Sequence, residues 1–175
     1  MTQFQKIDGG APDGAPLHYT ACGLDDVYLM NGFKRDVIDG EDVVMVDDMD
    51  NLWKAIGLHL VAKKKVLLPK EIRFLREHME YTQAELGAKL RVSDQTVARW
   101  EKGTAQADGP ADFALRVLFL ASKRAQPEGG ELLGKIIKML EDMIERDELD
   151  RPAPVIFRHN NRRKWNEEPR QLACA

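Results

Sequence analysis

Asp94, Gln95, Thr96 and Arg99 stand close together in the chain, and their side chains are suited to reading the edges of nucleic-acid bases. On a helix the first three form the N-terminal turn, and Arg99 lies one turn on, on the face of Gln95 and Thr96. A glutamine can bind adenine through two hydrogen bonds, an arginine can bind guanine the same way, and a threonine methyl can touch thymine. An aspartate can only accept from cytosine N4 or orient Arg99, and its charge repels the phosphate backbone. Thr82, Gln83, Ser93 and Lys102 fall at helix ends, where hydroxyl, amide, ammonium and free backbone N–H groups meet phosphates. This is recognition chemistry, with no catalytic counterpart. The sequence has no glycine-rich phosphate loop, no nucleophile–base pairing and no metal-ligand cluster, which argues against an enzyme and calls for no cofactor.

Side chains of this kind need rigid short helices behind them. Pro69 suits a first helical turn, and Ile72, Leu75, Arg76 and Met79 follow it. Thr82-Gln83-Ala84-Glu85 is a capping box that opens a helix over 83–90. Only Arg91, Val92 and Ser93 separate it from the next helix, 94–102, which stops at Gly103. Two short helices with so tight a connection form a helix-turn-helix, whose second helix enters the DNA major groove. Ala84, Leu86 and Leu90, facing Val92, Val97 and Trp100, are expected to form its small core, with Ala84 and Ala98 allowing close approach.

The stretch LREHMEYTQAELGAKLRVSDQTVARWEKG, residues 75–103, resembles the Cro/XRE-type helix-turn-helix family, carried by Gln83, Glu85, Leu86, Val92, Ser93, Val97, Trp100, Glu101 and Gly103. The resemblance implies phosphate contacts at Gln83, Ser93 and Lys102 and base contacts at Asp94, Gln95, Thr96 and Arg99. Arg91 departs from the glycine common there, so a left-handed backbone at this position would carry strain. HYTACGLDDVYLMNGF and DDMDNLWKAIG, taken with the same block, are more loosely similar to the MqsA/YgiT-type antitoxin and regulator group. The paired CxxC motifs of its zinc-binding members are missing: only Cys22 stands near that region, so no zinc site carries over.

The expected fold is mainly α with a small N-terminal β unit. It comprises a five-helix helix-turn-helix domain, an N-terminal β-hairpin/helix subdomain and a C-terminal tail. Residues 1–16, rich in Gly, Pro and Asp, read as a flexible arm. Residues 17–65 read as a β/α subdomain. In it Val27–Met30, Phe33–Val37 and Val43–Val46 form two or three antiparallel strands turned at Asn31-Gly32 and Asp39-Gly40, before a helix through Leu52 and Leu60. Residues 66–126 are the DNA-binding domain, with Pro110 and Asp112 opening its last helix. Residues 127–150 form an amphipathic helix, and 151–175 a basic tail without a clear period. The Arg158–Trp165 cluster in that tail could serve as a minor-groove arm.

The 175 residues hold 26 Lys+Arg and 29 Asp+Glu, a net charge of −3 that taken whole speaks weakly against nucleic acid. By segment the balance is −7 over 1–60, +4 over 61–104, −4 over 105–150 and +4 over 151–175. Screening confines a charge's influence to about 8–10 Å, so the local blocks matter more than the mean. No apolar run is long enough to span a membrane, and MTQFQKIDGG lacks the regions of a signal peptide, so a cytoplasmic protein is expected. The partner expected is a double-stranded DNA operator. Regulators of this kind read inverted repeats as homodimers, here through helix 131–149 or the N-terminal β unit, and the function implied is a repressor. The alternative is an antitoxin whose acidic N-terminal region binds a basic toxin and which represses its own operon.

Overall fold

The computed structural model describes residues 4–6, 16–38, 41–63, 66–122, 154–160 and 164–168. The chain divides into two compact units, residues 1–55 with 151–175, and residues 56–150. The expected helix 127–150, Lys64-Lys65 and most of the N-terminal arm lie outside the described residues.

The first unit holds two sheets. One has the order β1-β5-β4, formed by β1 (Phe4–Lys6), β5 (Glu41–Val46) and β4 (Phe33–Ile38), all antiparallel. The segment expected as a flexible arm therefore contributes a strand, because the unpaired edge of β5 accepts Phe4–Lys6 in register with Val43–Met45. The other sheet has the order β2-β3-β6-β7, from β2 (Leu17–His18), β3 (Val27–Leu29), β6 (Val155–His159) and β7 (Trp165–Glu167). Its central pair is parallel, with Val27 opposite Val155 and Leu29 opposite Phe157.

Two expectations are corrected here. Asn31-Gly32 does not close a hairpin between β3 and β4. It passes the chain from one sheet to the other, with Gly32 at φ +74. The Asn31 side chain behaves like one more strand residue: its Nδ2 donates to the His159 carbonyl at 3.1 Å, and its Oδ1 accepts from the His159 N–H at 2.7 Å. The tail, read as aperiodic, supplies β6 and β7. Trp165, at the end of the cluster read as a possible minor-groove arm, is buried and donates from Nε1 to the Asp47 carbonyl at 3.2 Å. Arg158 pairs with Glu168, which holds its guanidinium charged. The core of this unit is Leu17, Tyr19, Val27, Leu29, Val44, Val46, Leu52, Val155 and Phe157.

α1 (Met49–Lys63) follows β5, its residues 49–55 counted with the first unit and 56–63 with the second. The second unit continues with α2 (Pro69–His78), α3 (Gln83–Leu90), α4 (Asp94–Lys102) and α5 (Gly109–Ala121), so five helices are present among the described residues. α2 and α3 each pack on α4 and α5. Ile72, Leu75, Leu86, Val97, Leu115 and Phe119 are fully enclosed, and the Phe119 ring lies directly on Gly57 of α1. α5 is capped by Asp108, which accepts from the Ala111 N–H at 2.9 Å. Asp112 lies in the first turn of that helix, as expected, and is buried. It accepts from the Leu67 N–H at 2.9 Å and from Arg116 Nε at 2.6 Å. Arg116 is fully buried and also donates to the Leu60 and Val61 carbonyls, so one ion pair ties α5 to the end of α1 and to the start of α2.

Candidate nucleic-acid interface

α3 begins where Thr82 leaves extended backbone and its hydroxyl accepts from the Glu85 N–H at 3.1 Å. Glu85 reaches back, accepting from the Thr82 N–H at 2.7 Å and from the Thr82 hydroxyl at 2.8 Å. These bonds favour the charged carboxylate, so Glu85 is held below the usual carboxylate range, the Thr82 N–H being the main cause. Both halves of the expected capping box are therefore made.

α3 ends at Arg91, which adopts the left-handed conformation at φ 58, ψ 38. The strain expected of a non-glycine residue here is present. The turn is tight because Gly87 lies against it: a Cβ there would stand 2.8 Å from the Val92 carbonyl oxygen and 3.3 Å from the Asp94 nitrogen. Gly87, and not Ala84, is the small residue that lets α3 approach α4. Ala84 is exposed, lying two residues before Leu86 and so on the opposite side of the helix. Of the six residues expected to form the small core, Leu86, Val97 and Trp100 are buried, Leu90 and Val92 partly so.

Ser93 caps α4, its hydroxyl accepting from the Thr96 N–H at 3.1 Å and sharing a hydrogen bond with the Thr96 hydroxyl at 2.9 Å. Asp94 Oδ1 accepts from the Gln95 N–H at 2.8 Å. Gly103, left-handed at φ 73, ends the helix. Val97 and Trp100 turn inward, while Asp94, Gln95, Arg99 and Lys102 are exposed and Thr96 is half-buried. Among the described residues, the Gln95 amide, the Arg99 guanidinium and the Lys102 ammonium make no hydrogen bond or ion pair.

Both carboxylates that could have bound Arg99 are engaged elsewhere. Asp94 bonds its neighbour's N–H, and Glu101 is the centre of a network that sequence reading did not find. Arg76 of α2 donates to Glu101 from Nε at 2.5 Å and from Nη2 at 3.0 Å, and Gln83 Nε2 donates to the same carboxylate at 2.9 Å. Arg76 Nη1 also donates to the Tyr81 carbonyl at 2.9 Å. The bond to Glu101 pushes the Arg76 guanidinium above its usual range. One carboxylate thus locks α2, the start of α3 and the end of α4 together. Gln83, expected at a phosphate, uses one amide hydrogen on this network and keeps the other. Thr82, Ser93 and Lys102 stand exposed at helix ends, as their places in the sequence require.

Residues 72–110 match the family model described as helix-turn-helix. This segment is a Cro/XRE-type helix-turn-helix. The chain therefore carries a DNA-binding domain of the kind found in regulators. The searches of curated proteins and of solved structures found no significant match. The Cro/XRE-type segment runs from α2 into the start of α5 and contains all eight residues expected to meet DNA. Elsewhere, Cys22 is part-buried and donates to the Tyr19 carbonyl at 3.4 Å. Burial pushes its thiol up to about 11, so it stays protonated in neutral water. No helix among the described residues is long and apolar enough to cross a membrane.

Proposed function

We propose that the chain is a sequence-specific transcriptional regulator, a repressor that binds an inverted repeat as a homodimer with α4 in the major groove. One observation carries the reading. α4 is anchored by buried Val97 and Trp100 while Gln95 and Arg99 project outward with their hydrogen-bonding groups uncommitted among the described residues. Gln95 and Arg99 are the principal base readers, suited to adenine and guanine. Thr96 has its hydroxyl on the Ser93 cap, so its methyl is the group it offers, to thymine. Asp94 selects against bases that present an acceptor. Thr82, Gln83, Ser93 and Lys102 hold phosphates, the first three through the free N–H groups and side chains of helix starts.

The test is selection of bound sites from random DNA by the full chain. The expected product is a motif with two inverted half-sites about ten base pairs apart, centre to centre, or a multiple of that spacing. An unenriched pool would overturn the DNA reading, and a single asymmetric half-site would overturn the dimer. An antitoxin that represses its own operon would select DNA in the same way. Co-purification with a small basic protein encoded beside it would distinguish that role.

A further inference from the structure

β4 is the outer strand of the three-stranded sheet, and its register with β5 fixes which of its backbone groups face outward. The ladder pairs Phe33 with Val46 and steps along to Ile38 with Glu41. One step beyond Phe33, the Asp47 N–H donates to the Gly32 carbonyl at 2.8 Å. Gly32 therefore turns toward β5 and, by the two-residue alternation of an antiparallel ladder, so do Lys34, Asp36 and Ile38. Phe33, Arg35 and Val37 direct N–H and C=O away from the sheet. In keeping with this, the Val37 N–H has no strand to meet among the described residues and donates to Asp36 Oδ1 at 2.8 Å. Val37 is 63% exposed and Ile38 40%, an apolar end on an open edge.

We propose that β4 pairs with β4 of a second copy of this chain, antiparallel about a two-fold axis at Arg35, joining two three-stranded sheets into one. The proposal rests on the dimer part of the reading above and supplies its surface. A two-fold axis perpendicular to the sheet keeps each residue's face, so only residues of like parity can stand opposite one another. Two centres, Arg35 and Asp36, keep five of the six residues of β4 paired, more than any other. An axis at Asp36 would set the two Asp36 carboxylates opposite each other at the closer, non-hydrogen-bonded position, where like charges repel most. An axis at Arg35 sets Lys34 opposite Asp36 of the second copy, twice, at those close positions, and Phe33 opposite Val37, twice. The two Arg35 residues meet at the wider, hydrogen-bonded position, and each guanidinium lies back over its own Phe33 ring at 5.7 Å. In this register the Val37 N–H donates to the Phe33 carbonyl of the second copy. That releases the Asp36 carboxylate to meet Lys34, which has no ion pair among the described residues. The strand is complementary to itself in charge and in apolar surface.

The experiment is sedimentation equilibrium of the full chain without DNA over a dilution series, with circular dichroism checking the fold of each variant. The expected result is a dimer that Lys34→Asp or Asp36→Lys each weakens by about tenfold, since each reversal turns two attractive pairs into two repulsive ones. The double variant K34D/D36K restores it to within about threefold, because the swap returns complementary pairs. Should a reversal fail to fold, Asp36→Asn decides: it weakens a dimer centred at Arg35 and strengthens one centred at Asp36. A wild-type chain that stays monomeric up to about 100 µM overturns the proposal together with the dimer reading. A dimer indifferent to the reversals overturns this surface alone and leaves the dimer standing.

Discussion

Arg76 and Glu101, twenty-five residues apart in sequence, are joined by two hydrogen bonds, with side chains only 11% and 5% exposed. The pair fastens the first helix of the Cro/XRE-type segment to the last turn of α4, and Gln83 adds a third bond from α3. Removing one member leaves the other enclosed without its partner. Arg76→Met or Glu101→Leu is expected to destabilise the fold by about 2–4 kcal/mol, measured by urea denaturation. The double variant R76M/E101L should cost clearly less than the sum of the two singles, because neither charge is then stranded. Strict additivity would show that the two side chains act independently.

The turn between α3 and α4 holds two positions with opposite expectations. At Gly87 a Cβ would press on backbone atoms of Val92 and Asp94, which cannot swing away as a side chain can. Gly87→Ala is expected to cost about 1–3 kcal/mol of stability, the range for overpacking. At Arg91 the left-handed backbone, φ 58, suits glycine better than any branched-off side chain. Arg91→Gly is expected to raise stability by up to about 1 kcal/mol. Thermal melts of the two variants beside wild type check both. A destabilised R91G would mean that its guanidinium holds the turn through contacts worth more than the strain.

The parts of the fold that announce themselves locally were legible. The Thr82/Glu85 capping box, the Ser93 cap and Gly103 are signals contained within a few residues, and each marks a helix end where it was expected. Parallel pairing between Val27 and Val155 has no local signature, because the two strands lie more than a hundred residues apart and neither alternates over enough residues to declare itself. The same holds for Phe4–Lys6 on β5. Within the interface, Arg76 was read only as part of a helical pattern, since nothing in its surroundings points to Glu101. Ala84 has the size for close packing but stands exposed. Helical geometry, with Leu86 as the inward reference, puts Gly87 at the close approach instead.

Glu85 gives the molecule a defined response to acid. Its carboxylate accepts the Thr82 N–H and hydroxyl, and these bonds hold it below the usual carboxylate range. A carboxyl whose folded value lies below its unfolded one stabilises the fold above the unfolded value, and that contribution is lost as pH falls through the folded value. With an unfolded value of about 4.3, the loss occupies the region below about pH 4. Melting temperatures of wild type and Glu85→Gln, followed from pH 7 to pH 3, should lie apart at neutral pH and converge on acidification. Parallel curves across the whole range would show that the capping box contributes nothing that depends on the Glu85 charge.

Salt dependence separates the roles proposed for Arg99 and Lys102. The segment holds several cations, but Arg73 is paired with Glu77 and Arg76 with Glu101, so each pair is neutral as a whole and adds little attraction to phosphate. Lys89, Arg91, Arg99 and Lys102 are exposed and make no ion pair among the described residues. Acidic stretches elsewhere in the chain lower the background attraction to DNA. With Arg99 turned to base edges, Lys89, Arg91 and Lys102 offer three phosphate contacts per copy, and these predict a shallow slope on random duplex, about −3 in log affinity against log salt for each copy bound. Lys102→Ala should make that slope shallower by about one and weaken all sequences alike. Arg99→Ala should instead cost about 1–3 kcal/mol on the selected site, relax the base preference at one position, and leave affinity for random duplex nearly unchanged. Binding isotherms for both variants on both duplexes over a salt series supply the comparison. An R99A protein that bound its selected site as tightly as wild type would remove Arg99 from the base-reading set and shift the reading of sequence to Gln95 and the cap of α4.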